Sequence, residues 1–204
     1  MDIYKNRLSS TDRFIKRTFD IVFSLIGLSL TFWIIILAYL LIRLNSGESG
    51  FFRQERVGME GKIFKVVKLR TMKVTTEESS HVTTSKDVRI TPLGRILRNT
   101  KIDELPQLYN VLVGDMSFVG PRPDVAGYAD KLSGDDRIIL AVRPGITGPA
   151  TLKYKNEEEI LSLQENPDDF NRNVLYPDKV KINKEYIRNY SFLKDIGYIF
   201  KTIY

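Results

Sequence analysis

The sequence contains no cysteine and one histidine, His81. Without thiols the chain forms no disulfide bond, no cysteine-ligated metal site and no cysteine nucleophile. One histidine cannot build a histidine-rich metal site, and the polar stretch around it at residues 75–87 is typical of a solvated loop. The lack of cysteine is compatible with a reducing cytoplasm.

The excess of positive charge is small, since 31 Lys and Arg residues stand against 25 Asp and Glu residues and give a formal charge of +6. Such an excess suits lipid headgroups, nucleotide phosphates and nucleic acid, and does not choose among these anionic partners. A composition that is 43% hydrophobic and 27% charged excludes global disorder. The length of 204 residues suits one domain, or one domain with an anchor.

Residues 21–42 contain no charged side chain. A helix of these 22 residues would be about 33 Å long, enough to cross a hydrocarbon core of about 30 Å. The run is too long for a cleavable signal peptide, and no small-residue cleavage site follows it. It is also long for the buried helix of a soluble protein, so we predict a membrane helix.

The flanks of this helix leave open whether it spans the membrane or re-enters. Basic residues stand on both sides, Arg17 before and Arg43 after, so the positive-inside rule gives no direction. Gly27, Ser29 and Thr31 weaken the helix near its middle, where a bend would fit.

The residues that follow carry both strand and helix patterns. Partial alternation with β-branched residues predicts a strand at residues 61–72. Glycine and proline predict a loop at residues 143–151, and polar composition predicts another at residues 74–88. Helices are predicted at residues 92–99, 124–142 and 178–190.

Apolar side chains recur at helical spacing from residue 192 to residue 203, after Ser191, which is a candidate N-cap. Two interpretations of this last helix stay open. It either packs on the core of the protein or lies in the membrane interface with its lysines and aromatic residues at the headgroups.

The most unusual stretch is residues 103–123, which read DELPQLYNVLVGDMSFVGPRP. Asp103 and Glu104 are adjacent carboxylates just before Pro106, and Thr100 has the spacing of a capping box. One interpretation is structural, because two acids favour the positive end of a helix. The other is chemical, because a carboxylate can attack phosphorus while a second carboxylate holds Mg²⁺ that offsets the phosphate charge.

Phosphate chemistry also needs fixed cations. Arg122 lies between two prolines and Arg143 precedes Pro144, so both are held on stiff turns that suit bidentate phosphate contacts. Gly145 and Gly148 would allow the backbone to approach a ligand closely. An isolated Arg-Pro pair is otherwise an ordinary turn.

Together these motifs resemble those of the monotopic phosphoglycosyl transferases, the bacterial sugar transferases that start polysaccharide or glycoconjugate assembly on undecaprenyl phosphate. The resemblance runs from about Arg13 to the end of the chain. It is carried, in order, by residues 16–20 (KRTFD), 52–58 (FRQERVG), 64–72, Asp87, Arg89, Thr91, Gly94, Leu97, Arg98, 103–107 (DELPQ), 110–112 (NVL), 114–117 (GDMS), 119–123 (VGPRP) and 143–148 (RPGITG).

The resemblance implies a role for each candidate site residue. Asp103 would be the nucleophile, and Glu104 together with Asp103 would bind Mg²⁺. Arg98, Arg122, Arg143 and Gly145 would frame the phosphates. A UDP-sugar would donate its sugar-1-phosphate through a covalent intermediate on Asp103, UMP would leave, and polyprenyl phosphate would accept.

The resemblance also implies a mainly helical α+β fold, with a re-entrant membrane helix, amphipathic interfacial helices and a small β-hairpin or sheet. Residues 1–45 would form the membrane-embedded helix, and residues 46–204 a catalytic domain at the cytoplasmic face of the bacterial inner membrane. The expected partners are the two substrates and membrane lipid, without nucleic acid. The sugar and the oligomeric state stay unspecified, and the chain would be a short, minimal form.

Two departures from the family pattern stand out. Phe32 and Trp33 occupy the place where many members break the membrane helix with Ser-Pro. The segment after the Arg-Pro-Gly loop also differs, and its acidic stretch at residues 156–160 (NEEEI) would alter nucleotide or sugar contacts. The rival hypothesis is a membrane-anchored basic protein that binds nucleic acid or lipid headgroups, which would explain the charge and the anchor but not the ordered motifs.

Overall fold

A long helix and a short hairpin come first in the chain. In this computed structural model, which describes residues 8–74 and 87–203, helix α1 covers Ser10–Ser46. Strands β1 (Phe51–Val57) and β2 (Ile63–Leu69) pair antiparallel, with Phe51 opposite Leu69. The predicted strand at residues 61–72 is confirmed, whereas most of the predicted loop at residues 74–88, with His81, lies outside the described residues.

The rest of the chain is mostly helical, as expected for the α+β class. Its two further strands pair in parallel, with Ser117 opposite Gly145. In chain order the remaining elements are α2 (Pro92–Asn99), α3 (Gln107–Val113), β3 (Ser117–Val119), β4 (Gly145–Thr147), α4 (Pro149–Lys153), α5 (Glu157–Ser162), α6 (Pro167–Phe170), α7 (Tyr176–Arg188) and α8 (Phe192–Ile203).

Helix α1 is a single helix with a cap at each end. Ser9 accepts a hydrogen bond from the Asp12 amide at 3.0 Å, and Gly47 ends the helix in the left-handed conformation at φ 73°. The Ser29 and Thr31 hydroxyls donate to carbonyls one turn earlier, at 2.9 and 2.7 Å. These contacts fall where a bend was predicted, but the helix continues through them without interruption.

One face of α1 packs along the rest of the protein over most of its length. Near its start the Asp20 carboxylate accepts hydrogen bonds from the Ser117 hydroxyl and the Phe118 amide, at 3.0 and 3.1 Å. In the middle Gly27 faces Leu108, so closely that an added Cβ would lie 3.0 Å from Leu108 Cδ1. Near its end Ile42 is buried in a cluster with further apolar side chains, among them Ile35, Ala38, Leu69 and Leu97.

The opposite face of α1 is apolar and exposed. Helix α1 is the one helix within residues 8–74 and 87–203 that is long and apolar enough to cross a membrane. The large apolar side chains of α1 that are exposed are Phe14, Ile15, Ile21, Val22, Phe23, Leu25, Ile26, Leu30, Phe32, Trp33, Ile36, Leu37, Leu40, Leu41 and Leu44.

A buried polar cluster joins α8 to the start of α1. The Asp195 carboxylate, only 2% exposed, pairs with Lys16 at 2.5 Å and accepts hydrogen bonds from the Tyr186 and Tyr190 hydroxyls. Leu193 and Phe200 of the same helix remain exposed. Helix α8 therefore packs on the protein through one side and presents apolar side chains on the other.

Two predicted elements are wrong in part. Residues 124–142 were expected to be mostly helical, but they form two 3₁₀ segments, Ala129–Lys131 and Gly134–Ala141. Gly127 and Gly134 adopt positive φ values of 99° and 56°, which interrupt a right-handed helix. The predicted loop at residues 143–151 contains β4 and the start of α4, because its glycines allow a pairing that the sequence pattern does not reveal.

Candidate active site

Asp103 and Glu104 lie in one 3₁₀ turn, Ile102–Glu104, just before α3 begins at Gln107. Lys101 adopts the left-handed conformation at φ 57° and redirects the chain from α2 into this turn. The Thr100 hydroxyl donates to the Ile96 carbonyl at 2.9 Å. Thr100 therefore belongs to the end of α2, and the predicted capping box is wrong.

The Asp103 side chain is buried and incompletely bonded. It is 6% exposed, and its Oδ1 atom has no hydrogen-bond partner among the described residues. Burial and the negative charge of Glu104 raise the pKa of Asp103 above its ordinary value, while Lys68, Arg98 and Lys101 oppose the rise. An orphaned buried carboxylate oxygen is costly, so this atom is suited to a metal ion or a substrate atom.

Glu104 has the opposite environment, because two cations reach it. Lys68 Nζ lies 2.7 Å from Glu104 Oε1, and Arg122 Nη2 lies 3.5 Å from the same oxygen. Burial alone would raise the pKa of Glu104, but the charges of Lys68 and Arg122 outweigh it and hold the pKa well below its usual range. Glu104 is thus a fixed anion whose Oε2 atom accepts no hydrogen bond from the described residues.

Lys68 was missed in the sequence, although it belongs to the β2 strand that the sequence predicts. A lysine in an alternating strand is usually a solvated residue of the outer face. Here the side chain is about three-quarters covered and its ammonium group ends on the Glu104 carboxylate. Only the packing of α3 on β2 reveals this contact.

Asn110 holds α3 on β2 and was also not singled out as a site residue. It is 1% exposed, its Nδ2 donates to the Lys65 carbonyl at 2.8 Å, and its Oδ1 accepts from the Val67 amide at 3.0 Å. The side-chain amide satisfies two main-chain groups of one strand. The feature of the sequence that could have indicated this role is the amide side chain of Asn110 among the mostly apolar residues 108–113 of α3.

The predicted phosphate-binding residues divide into two groups. Arg98 and Arg122 lie with the carboxylate pair, because Arg122 contacts Glu104 and the charge of Arg98 acts on Asp103. Arg98 also contacts the Thr71 hydroxyl at 3.5 Å and forms an ion pair with Glu158.

Arg143 and Gly145 lie at the other end of α3. Arg143 Nε donates to the Gly114 carbonyl at 2.7 Å, beside Arg17, which donates to the last carbonyls of the helix at 2.7 Å. Gly145 packs against the main chain of Gly120, so closely that an added Cβ would lie 2.1 Å from its nitrogen. Both residues position the helix and the small parallel sheet, and their contact with phosphate stays a prediction.

Asp103 and Glu104 offer two carboxylate oxygens of the kind that would hold a magnesium ion. Asp103 Oδ1 and Glu104 Oε2 are carboxylate oxygens without hydrogen-bond partners among the described residues. No group of three or more acidic or histidine side chains suited to a metal occurs in residues 8–74 and 87–203. Mg²⁺ commonly binds through one or two carboxylates, with waters and substrate phosphates as its other ligands.

The chain is similar to known proteins over nearly its whole length. The sequence pattern of the family described as bacterial sugar transferase matches residues 11–204. UDP-glucose:undecaprenyl-phosphate glucose-1-phosphate transferase of Escherichia coli (strain K12) is 37% identical over 99% of this chain and 42% of its own length. Undecaprenyl-phosphate galactose phosphotransferase of Salmonella typhimurium is 32% identical over 98% of this chain and 42% of its own.

A shorter relative matches part of the chain more closely. The putative undecaprenyl-phosphate N-acetylgalactosaminyl 1-phosphate transferase of Bacillus subtilis (strain 168) is 47% identical over 59% of this chain and 68% of its own length. The chain spans about two fifths of the length of the Escherichia coli and Salmonella relatives. With a family match that covers residues 11–204, the chain belongs to the bacterial sugar transferase family.

Proposed function

We propose that this protein transfers a sugar-1-phosphate from a UDP-sugar to undecaprenyl phosphate, or a related polyprenyl phosphate, and releases UMP. The observation that carries the proposal is the buried Asp103 carboxylate, with an orphaned oxygen, beside a Glu104 that two cations hold. The names of the relatives support these substrate classes, and the relatives differ in the sugar that is named.

The first proposed step forms a covalent intermediate on Asp103. A carboxylate oxygen of Asp103 attacks the β-phosphorus of the UDP-sugar, and the bond from that phosphorus to the bridging oxygen breaks. UMP leaves with the bonding electron pair. The phosphosugar stays on Asp103 as an acyl-phosphate.

The second step returns the enzyme to its starting state. A phosphate oxygen of the polyprenyl phosphate attacks the same phosphorus, and the Asp103 carboxylate leaves with the electron pair of the acyl-phosphate bond. The product is a polyprenyl diphosphate sugar. The acceptor is a phosphate monoester, which is largely dianionic at neutral pH because its second pKa is about 6, so the step requires little help from a base.

The side chains around Asp103 address the main obstacle, which is the repulsion between a carboxylate and a diphosphate. Arg98 and Arg122 reach the carboxylate pair from two elements, and Lys68 neutralises Glu104. Preorganised cations of this kind stabilise the charge that builds up on the leaving phosphate. Mg²⁺ held by Glu104 and Asp103 would supply further charge neutralisation at the phosphate oxygens.

We also propose that both ends of α1 lie on the cytoplasmic side of a bacterial membrane. From Asp20 to Ile42 the helix rises about 33 Å, yet both residues pack on the same domain. A helix that crossed the bilayer would separate these contacts by the whole hydrocarbon core. The exposed apolar face of α1 then meets lipid, and the basic residues at both ends resist translocation.

Asp103→Asn should abolish turnover while the protein stays folded. An amide is not a competent nucleophile here, and a loss of several powers of ten corresponds to about 1.4 kcal/mol of barrier per factor of ten. UMP release from a panel of UDP-sugars measures the loss, and thermal unfolding checks the fold. A purified variant that retained more than about a tenth of the wild-type rate would rule out Asp103 as the nucleophile. Wild-type protein that released no UMP from any UDP-sugar would favour the rival binding protein.

Glu104→Gln should weaken the binding of Mg²⁺, so that activity falls strongly and recovers in part when the concentration of Mg²⁺ is raised. The physical reason is the loss of one anionic ligand from a site with few ligands. A titration of UMP release against Mg²⁺ measures the effect. Lys68→Gln is the matched control, because it removes the cation partner of Glu104 and should not weaken the Mg²⁺ response. An unchanged Mg²⁺ dependence in Glu104→Gln would remove Glu104 from the metal site.

Single cysteines placed before and after α1 test the topology, and the chain offers no competing thiol. Neither Lys5→Cys nor Glu48→Cys should react with an impermeant thiol reagent added to intact cells, because both positions face the cytoplasm. Both should react after the cells are permeabilised, which serves as the control. Labelling of one position and not the other in intact cells would show that α1 spans the membrane.

A further inference from the structure

The short helix α5 brings acidic side chains to the edge of the candidate site. It begins with three consecutive acids, Glu157, Glu158 and Glu159. Glu158 Oε1 pairs with Arg98 Nη2. Glu157 pairs with Lys179 at 2.5 Å and lies close enough to Arg122 for their charges to interact. This segment belongs to one of the two places where the chain departs from the pattern of the family that it resembles.

In the ion pair, Glu158 uses the guanidinium group of Arg98, which the proposed reaction needs to bind a substrate phosphate. The charge of Arg98 acts on Asp103, and the Arg98 side chain is 22% exposed. A guanidinium group binds a phosphate with the same fork of N–H donors that it offers to a carboxylate. Glu158 and a substrate phosphate therefore compete for one set of donors.

The contact is one that a ligand can displace. The Glu158 side chain is 44% exposed, and its helix covers only six residues. Partly exposed ion pairs contribute little to stability, so little is lost when Glu158 turns to solvent. A diphosphate carries more charge than one carboxylate and gains contacts with Arg122 as well.

We infer that Glu158 occupies Arg98 in the substrate-free protein and that the nucleotide diphosphate displaces Glu158 on binding. This inference rests on the proposed function, since it places a substrate phosphate at Arg98. Glu158 then sets the affinity of the site for nucleotide diphosphates. It also keeps Arg98 neutralised beside the orphaned carboxylate of Asp103 until the substrate arrives.

Binding of UDP in the presence of Mg²⁺, measured by calorimetry on the full chain in detergent, tests the inference. Glu158→Gln should lower the Kd for UDP by about two- to fivefold, the range that the loss of one partly exposed ion pair allows. In turnover, the same variant should lower the KM for the UDP-sugar more than it changes kcat. Glu159→Gln is the matched control, because it removes the same charge from the neighbouring exposed residue and should leave the Kd unchanged.

Four results would overturn the inference. Weaker UDP binding in Glu158→Gln would show that Glu158 holds Arg98 in place for the phosphate. Equal changes in Glu158→Gln and Glu159→Gln would show a general effect of net charge. Equal Kd values in Glu158→Gln and wild type would show that Glu158 does not compete with a phosphate. No UDP binding by either protein would show that a nucleotide diphosphate does not displace Glu158. UMP release by the wild type is measured separately, so a failure of the proposed function is distinguished from each of these results.

Discussion

The position of the two carboxylates depends on how helix α3 is held. Asn110 fixes its middle to β2 through two hydrogen bonds to main-chain groups, and Arg17 and Arg143 bond the carbonyls at its end. Because these bonds hold the helix at its middle and at its end, the turn before it presents Asp103 and Glu104 to cations from three other segments of the chain. Loss of these bonds would leave buried polar groups unpaired and would release the carboxylate pair.

The fixed helix allows two adjacent carboxylates to take different roles. Glu104 faces Lys68 and Arg122 and stays ionised, while Asp103 is buried with an oxygen that no described residue bonds. When the environments of two neighbouring acids shift their pKa values in opposite directions, the two acids commonly have different roles in catalysis. The same helix also packs on α1 through Leu108 and Gly27, so α3 links the carboxylate pair to the helix that we propose lies in the membrane.

Much of this arrangement was predictable from the sequence, because hydropathy, residue spacing and adjacent charged residues within short segments indicate these features. The apolar helix, the hairpin strand and the carboxylate pair were found from composition and spacing. The roles of Lys68 and Asn110 were not, since both depend on α3 packing against β2. Gly145 was interpreted as a place for ligand approach, but its missing side chain admits the main chain of Gly120. The sequence pattern alone cannot distinguish close approach of a ligand from close approach of another main-chain segment, because both require a glycine.

We propose that Asp103 carries the phosphosugar between two half-reactions, and intact-protein mass spectrometry can detect this covalent intermediate. Purified protein incubated with a UDP-sugar and Mg²⁺, without any polyprenyl phosphate, should release UMP in an amount that does not exceed the enzyme. Its mass should rise by that of one phosphosugar, and fragmentation should place the addition on Asp103. UMP release that required the acceptor, with no addition to the protein at any time, would contradict the account.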